Sequence, residues 1–159
     1  MQATLRSNSG EAEFTLELET VAEYAHEVGF ESTISLRGQH WDGDHTFPFS
    51  SKIDGLWLRG GDLNALSEHI TKWINLPIGQ LAPDGLTGDF QMARLPEQSL
   101  SLRFSSRSNE VSSMNPIVSI TFKASAYCGE FYFVTDQSCL SFFVHELRAA
   151  LLGANEHSL

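Results

Sequence analysis

The chain lacks several things that would narrow its function at once. Among its 159 residues there are two cysteines, Cys128 and Cys139, too few for a disulfide scaffold. Basic residues are scarce: ten Lys and Arg against twenty Asp and Glu, a net charge of −10. None of the ten forms a run, so a phosphate backbone finds no basic patch and nucleic-acid binding is not expected. An anionic membrane surface is disfavoured for the same reason. No stretch approaches eighteen apolar residues, the length needed to span a bilayer as a helix. Residues 1–14 lack the apolar core of a signal peptide, so a cytoplasmic location is expected.

Motifs of common catalytic chemistry are missing too. The nucleophile elbow, the phosphate-binding loop and the dinucleotide glycine fingerprint are all absent. His145-Glu146 opens like a zinc-protease helix, but the second histidine that the motif needs is Ala149. Cys139 and His145 lie about 240° apart on one predicted helix and cannot form a thiol–imidazole pair. Twenty carboxylates mark out no dyad. No catalytic residue, cofactor or metal is therefore assigned.

What is present describes an ordered domain. Hydrophobic residues make up 42% and charged residues 19%, richer in core material than a disordered chain. Residues 1–12 are small and polar and read as a loose lead. Phe14, Leu16 and Leu18 then alternate with Glu13, Thr15, Glu17 and Glu19, the period of a strand with one wet face. Phe30, Ile34 and Leu36 continue that period in a second strand. Between them Val21–Val28 reads as a loop with at most two helical turns. Trp41-Asp42-Gly43-Asp44 carries a hairpin turn signal. Strands over 46–51 and 53–59 follow, and Asp62 is a suitable cap for a helix from Leu63 to Asn75.

The pattern then repeats in outline. A short strand near Phe90 is followed by strands at 99–105, 117–123 and 130–135. A last helix begins at Thr135 or Asp136 and stops at Gly153. Its stripe is Leu140, Phe143, Val144, Leu147 and Leu151. The fold class is α+β: an antiparallel sheet of about six to seven strands with two main helices, in the order strands–helix–strands–helix. Residues 13–153 form the single domain and 154–159 a tail.

Two segments invite a functional reading. His40-Trp-Asp-Gly-Asp-His45 gathers two imidazoles and two carboxylates, donors that a divalent metal accepts. Six contiguous residues in a tight turn seldom converge four side chains on one point, so a solvated turn is preferred. From Glu11 to Glu31 there are seven Glu and no Lys or Arg. Solubility and edge protection explain part of this. The sharper reading is an acidic face for a basic protein partner, built from Glu17, Glu19, Glu23 and Glu27 with the adjoining Asp42 and Asp44. Such fields speed association more than they deepen affinity.

The later half, Ser-Leu-Ser-Leu-Arg-Phe (99–104), Ile-Val-Ser-Ile-Thr-Phe (117–122) and Glu-Phe-Tyr-Phe-Val-Thr (130–135), runs straight into Asp136-Gln-Ser-Cys-Leu and its helix. Upstream, the helix from Asp62 carries Leu63, Leu66 and Trp73. This arrangement resembles the WapI-type immunity family and related bacterial α+β proteins in pattern. The resemblance implies a cytoplasmic, non-enzymatic protein that neutralises a toxin, often a basic nuclease, by binding it. An effector-chaperone-like or small-ligand-binding module is the alternative.

Overall fold

The computed structural model describes residues 1–24, 27–42, 45–75, 88–91, 98–105, 115–124 and 127–156. Eight strands and two helices follow in sequence: β1 (Gln2–Arg6), β2 (Glu13–Tyr24), β3 (Glu27–Asp42), β4 (His45–Arg59), α1 (Gly60–Ile74), β5 (Gly88–Gln91), β6 (Gln98–Ser105), β7 (Ile117–Ala124), β8 (Tyr127–Val134) and α2 (Gln137–Glu156). The protein is α+β and antiparallel throughout. The strands form two four-stranded sheets, β1-β2-β3-β4 and β5-β6-β7-β8, rather than the single sheet expected. Within each sheet every strand pairs with its sequence neighbour, α1 separates the two runs, and among the described residues no strand pair joins one sheet to the other.

The two halves repeat in register. In the first sheet Phe14 opposes Leu36, Leu16 opposes Ile34 and Leu18 opposes Ser32. In the second, Leu100 opposes Phe122, Leu102 opposes Ile120 and Phe104 opposes Val118. Each inner face thus carries a ladder of three cross-strand pairs, apolar throughout except where Leu18 meets Ser32. The second helix crosses to the first half, while α1 touches β3 and β4 of its own half as well as the second half. The α2 helix packs along β1 and β2, and α1 reaches β5. Phe143 of α2 meets Phe14 with ring centroids 6.4 Å apart, and His69 of α1 meets Phe104 at 6.0 Å. Leu63, Leu66, Ile70 and Trp73 of α1 and Leu140, Phe143, Leu147 and Leu151 of α2 complete one shared core.

The second half makes a hydrogen bond to each edge strand of the first sheet. Glu146 on α2 accepts the Thr4 backbone N–H of β1 at 2.8 Å. Gln98 Nε2 donates to the Gly55 carbonyl of β4 at 2.9 Å.

Four expectations are corrected. Residues 2–6 are not a loose lead but β1, whose Ala3 and Leu5 are buried. Two apolar residues among polar ones were too short a period to recognise. Where a loop is expected over Val21–Val28, residues 21–24 and 27–28 are strand, because β2 runs to Tyr24 and β3 starts at Glu27; residues 25 and 26 lie outside the described residues. Arg59, not Asp62, is the cap residue of α1 and makes no side-chain cap bond, while Asp62 lies in the first turn. Finally, α2 continues through Gly153 to Glu156. A Cβ at Gly153 would stand 2.7 Å from Met1 Sδ, the end of a flexible and half-exposed side chain that can move aside. The start of α2 is as expected: Asp136 Oδ1 accepts the Cys139 N–H at 2.9 Å, a side-chain cap. No helix among the described residues is long and apolar enough to cross a membrane.

Candidate functional site: the outer face of the first sheet

The helices cover the face bearing Phe14, Leu16 and Leu18, so alternation turns Glu13, Thr15 and Glu17 to the opposite, outer face. Two bulges then shape that face. In β2, Leu18 opposes Ser32 and Thr20 opposes Glu31, which leaves Glu19 as an extra residue. In β4, Leu56 opposes Ser32 and Ile53 opposes Ile34, which leaves an extra residue in the Asp54-Gly55 stretch. Gly55 has φ +72°, a left-handed conformation that glycine adopts without steric cost. Bulges bend a strand and re-aim its side chains.

Both bulges flank Thr33 of β3, which is only 1% exposed. Its hydroxyl lies 2.7 Å from Glu19 Oε1 and 2.8 Å from Asp54 Oδ1. Lys52 Nζ lies 3.0 Å from the same Asp54 oxygen. The Thr33 hydroxyl, then Lys52, hold the Asp54 carboxyl below its ordinary value. In return Asp54, with smaller contributions from Glu17 and Glu19, raises the Lys52 ammonium above its own. The result is a compact acidic centre of Glu17, Glu19 and Asp54 with one lysine at its side.

The predicted site residues divide. Glu17 and Glu19 are exposed on the outer face. Glu27 shares that face but is bound to Arg59 Nη2 at 2.6 Å. Glu23 is misplaced. The bulge at Glu19 shifts the alternation by one residue, so Glu23 opposes Val28 on the helix side of the sheet. Glu31, opposite Thr20 and Trp57, takes its place on the outer face. Asp44 lies outside the described residues, as does the Asp42 side chain. The backbone of Asp42 nevertheless corrects one expectation. It ends β3 nine residues beyond Thr33, about 30 Å along an extended strand, so the turn does not adjoin the acidic centre. The histidine side chains at 40 and 45 likewise lie outside the described residues.

Neighbouring strands also dilute the charge. Arg6 and Arg37 flank Glu13, at 3.9 and 3.4 Å. The outer face therefore carries Glu13, Glu17, Glu19, Glu27, Glu31 and Asp54 against Arg6, Arg37, Lys52 and Arg59. That is six acids less four bases, or −2, where the linear segment suggested −7. Surface pairs of this kind contribute little stability, but they place the cations around the acidic centre.

No His, Cys, Asp and Glu cluster of metal-binding geometry occurs among the described residues. Cys128 is exposed and Cys139 half-buried. Burial, and then Asp136, push the Cys139 thiol above its usual value, so it stays protonated and a poor nucleophile. Sequence reasoning missed Thr33, Lys52 and Asp54. An Asp-Gly pair such as Asp54-Gly55 allows a bend, but no linear period shows which carboxylate a bulge will turn toward it. The chain matches no protein-family model, and a search of curated proteins returns no match.

Proposed function

We propose that this chain is a non-enzymatic binding protein that docks a basic protein partner on the outer face of its first sheet, in the manner of a toxin-neutralising immunity protein. The observation that carries this reading is the gathering of the Glu19 and Asp54 carboxylates on either side of the Thr33 hydroxyl, 2.7 and 2.8 Å away, with Lys52 beside Asp54; the single hydroxyl proton bonds one carboxylate at a time. Carboxylates fixed before binding lose less side-chain entropy when a Lys or Arg arrives. Glu17 and Glu31, exposed on the same face, widen the target. The chain's net charge of −10 adds a long-range attraction for a cationic partner and raises the encounter rate. Partner residues would replace Lys52 at Asp54 or bridge Glu17 and Glu19. The reading uses no acid–base or nucleophilic chemistry, cofactor, metal or membrane. A cytoplasmic location and the WapI-type family belong to the same proposal.

The test is a capture from lysate of the source cells by the wild-type chain and by a Glu17→Gln, Glu19→Gln, Glu31→Gln variant, followed by association kinetics with the captured protein. The wild-type chain is expected to retain a basic protein at low salt that the variant loses. Equal capture by both, with equal on-rates, refutes the proposal.

A further inference from the structure

The geometry points to a second site, on the helix side of the molecule: a groove that takes an aliphatic carboxylate, with the head group on Arg148 and the alkyl tail against Phe30 and Leu151. The groove has a volume of about 460 Å³ and runs between the start of α1, the end of α2 and the start of β3. That is within the range of pockets for small ligands. Its floor is buried Phe30 and Leu151. Val28 and Leu152 also line it and are 57% and 68% exposed. Apolar side chains left this open in one concave place gain free energy when a chain of methylene groups covers them.

Arg148 supplies the specificity. Its Nε donates to Ser67 Oγ at 2.8 Å and its Nη2 to Thr71 Oγ1 at 2.9 Å. Arg6, Arg37, Lys52 and Arg59 each lie against a carboxylate, whereas Arg148 is oriented by two neutral hydroxyls. A guanidinium has five N–H donors, and these two bonds use two of them on a side chain that lines the groove. The hydroxyls fix its plane, which suits the forked recognition of a carboxylate. Asn64 is the other polar side chain in the lining. A single guanidinium matches a monoanion, and a phosphate dianion would bring a second charge that no lining residue meets. Glu23 opposes Val28 across the strand pair, which disfavours a carboxylate at that wall and directs the tail there. This site is independent of the acidic face and survives if that reading fails.

Decanoate, below its micellar concentration, is the probe, and binding to the full chain is read by calorimetry. Decanol carries the same tail without the charge. The wild-type chain is expected to bind decanoate saturably and decanol about tenfold more weakly or less, the loss expected for a charged hydrogen-bonded contact. Arg148→Gln should weaken decanoate by a similar factor and leave decanol unchanged. Gly60→Leu should abolish both, because a Cβ at Gly60 would stand 3.5 Å from Phe30 Cε2 and 3.4 Å from the Val28 carbonyl, ordinary contacts that the fold accepts while the side chain fills the groove. Circular dichroism of each variant confirms that it is folded. The inference is overturned if folded wild-type chain does not bind decanoate, if folded Gly60→Leu binds it equally, or if only a peptide with an apolar C-terminal residue binds.

Discussion

Gly29 is the position where the account of the first sheet can be tested most severely. It lies in β3 opposite Arg59, and the Trp57 indole leans across it from β4. A Cβ built on Gly29 would stand 2.5 Å from the Leu58 carbonyl oxygen, 2.6 Å from Trp57 Cε2 and 2.7 Å from Trp57 Cζ2. Trp57 is only 7% exposed and has little room to yield, and the carbonyl belongs to the sheet backbone. Overpacking by one methyl costs about 1–3 kcal/mol when neighbours shift, and a backbone neighbour puts Gly29→Ala at the upper end. The entropy gained by removing a glycine from the unfolded chain returns about 0.4–1 kcal/mol. A net loss of about 2 kcal/mol follows. For a domain of this size each kcal/mol moves the melting temperature by about 2–4 °C, so Gly29→Ala should melt about 4–8 °C lower. Gly61→Ala is the control of opposite sign. It is helical, its nearest neighbour to a new Cβ is Arg59 Cδ at 3.9 Å, and it should gain about 0.5–1 kcal/mol. Combining Gly29→Ala with Trp57→Ala should cost less than the sum of the two single changes, because the indole clash is relieved. A Gly29→Ala protein that melts within about 1 °C of wild type would refute the packing of Trp57 on β3.

Three further outcomes follow from the geometry. Asp54 is depressed by Thr33 and Lys52, so this interaction stabilises the fold above the ordinary carboxylate range and is lost as the pH falls through the lower folded value. Thr33→Val should therefore lower the urea midpoint at neutral pH, and the gap from wild type should narrow in acid; a gap that widens contradicts the assignment. Asp136→Ala removes the acceptor of the Cys139 N–H and should cost about 0.5–2 kcal/mol by urea unfolding. Exposed Cys128 should react with a thiol reagent at neutral pH well before half-buried Cys139, and mass spectrometry of the singly labelled protein identifies which thiol reacted.

The alternating strands and the two helix stripes were legible because each repeats a short period over many residues. Phe14, Leu16 and Leu18 on one strand, or Leu140, Phe143 and Leu147 on one helix, are recognisable without knowing their partners. The division into two sheets was not, because it depends on which strands remain unpaired, and alternation is identical in one sheet or two. The two-half symmetry was visible only as an order of elements; its register, with Leu16 on Ile34 and Leu102 on Ile120, needed the pairing itself. The acidic segment was read correctly as to charge and wrongly as to geometry. One unpaired residue at Glu19 sent Glu23 to the other face, and Arg37, Lys52 and Arg59 arrived from strands distant in sequence. Bulges and cross-strand cations are tertiary facts, and a linear charge count misses both.

The central claim is that the outer face of the first sheet docks a basic protein by charge, and the most direct measurement is the association rate of the captured partner against ionic strength. It is measured for the wild-type chain and for the Glu17→Gln, Glu19→Gln, Glu31→Gln variant. Near 0.5 M salt, charge attraction is screened beyond about 4–5 Å. The account predicts that the wild-type rate falls steeply as salt rises toward that point, and that the variant starts lower and falls little. Wild-type and variant rates that coincide at every salt concentration would contradict it.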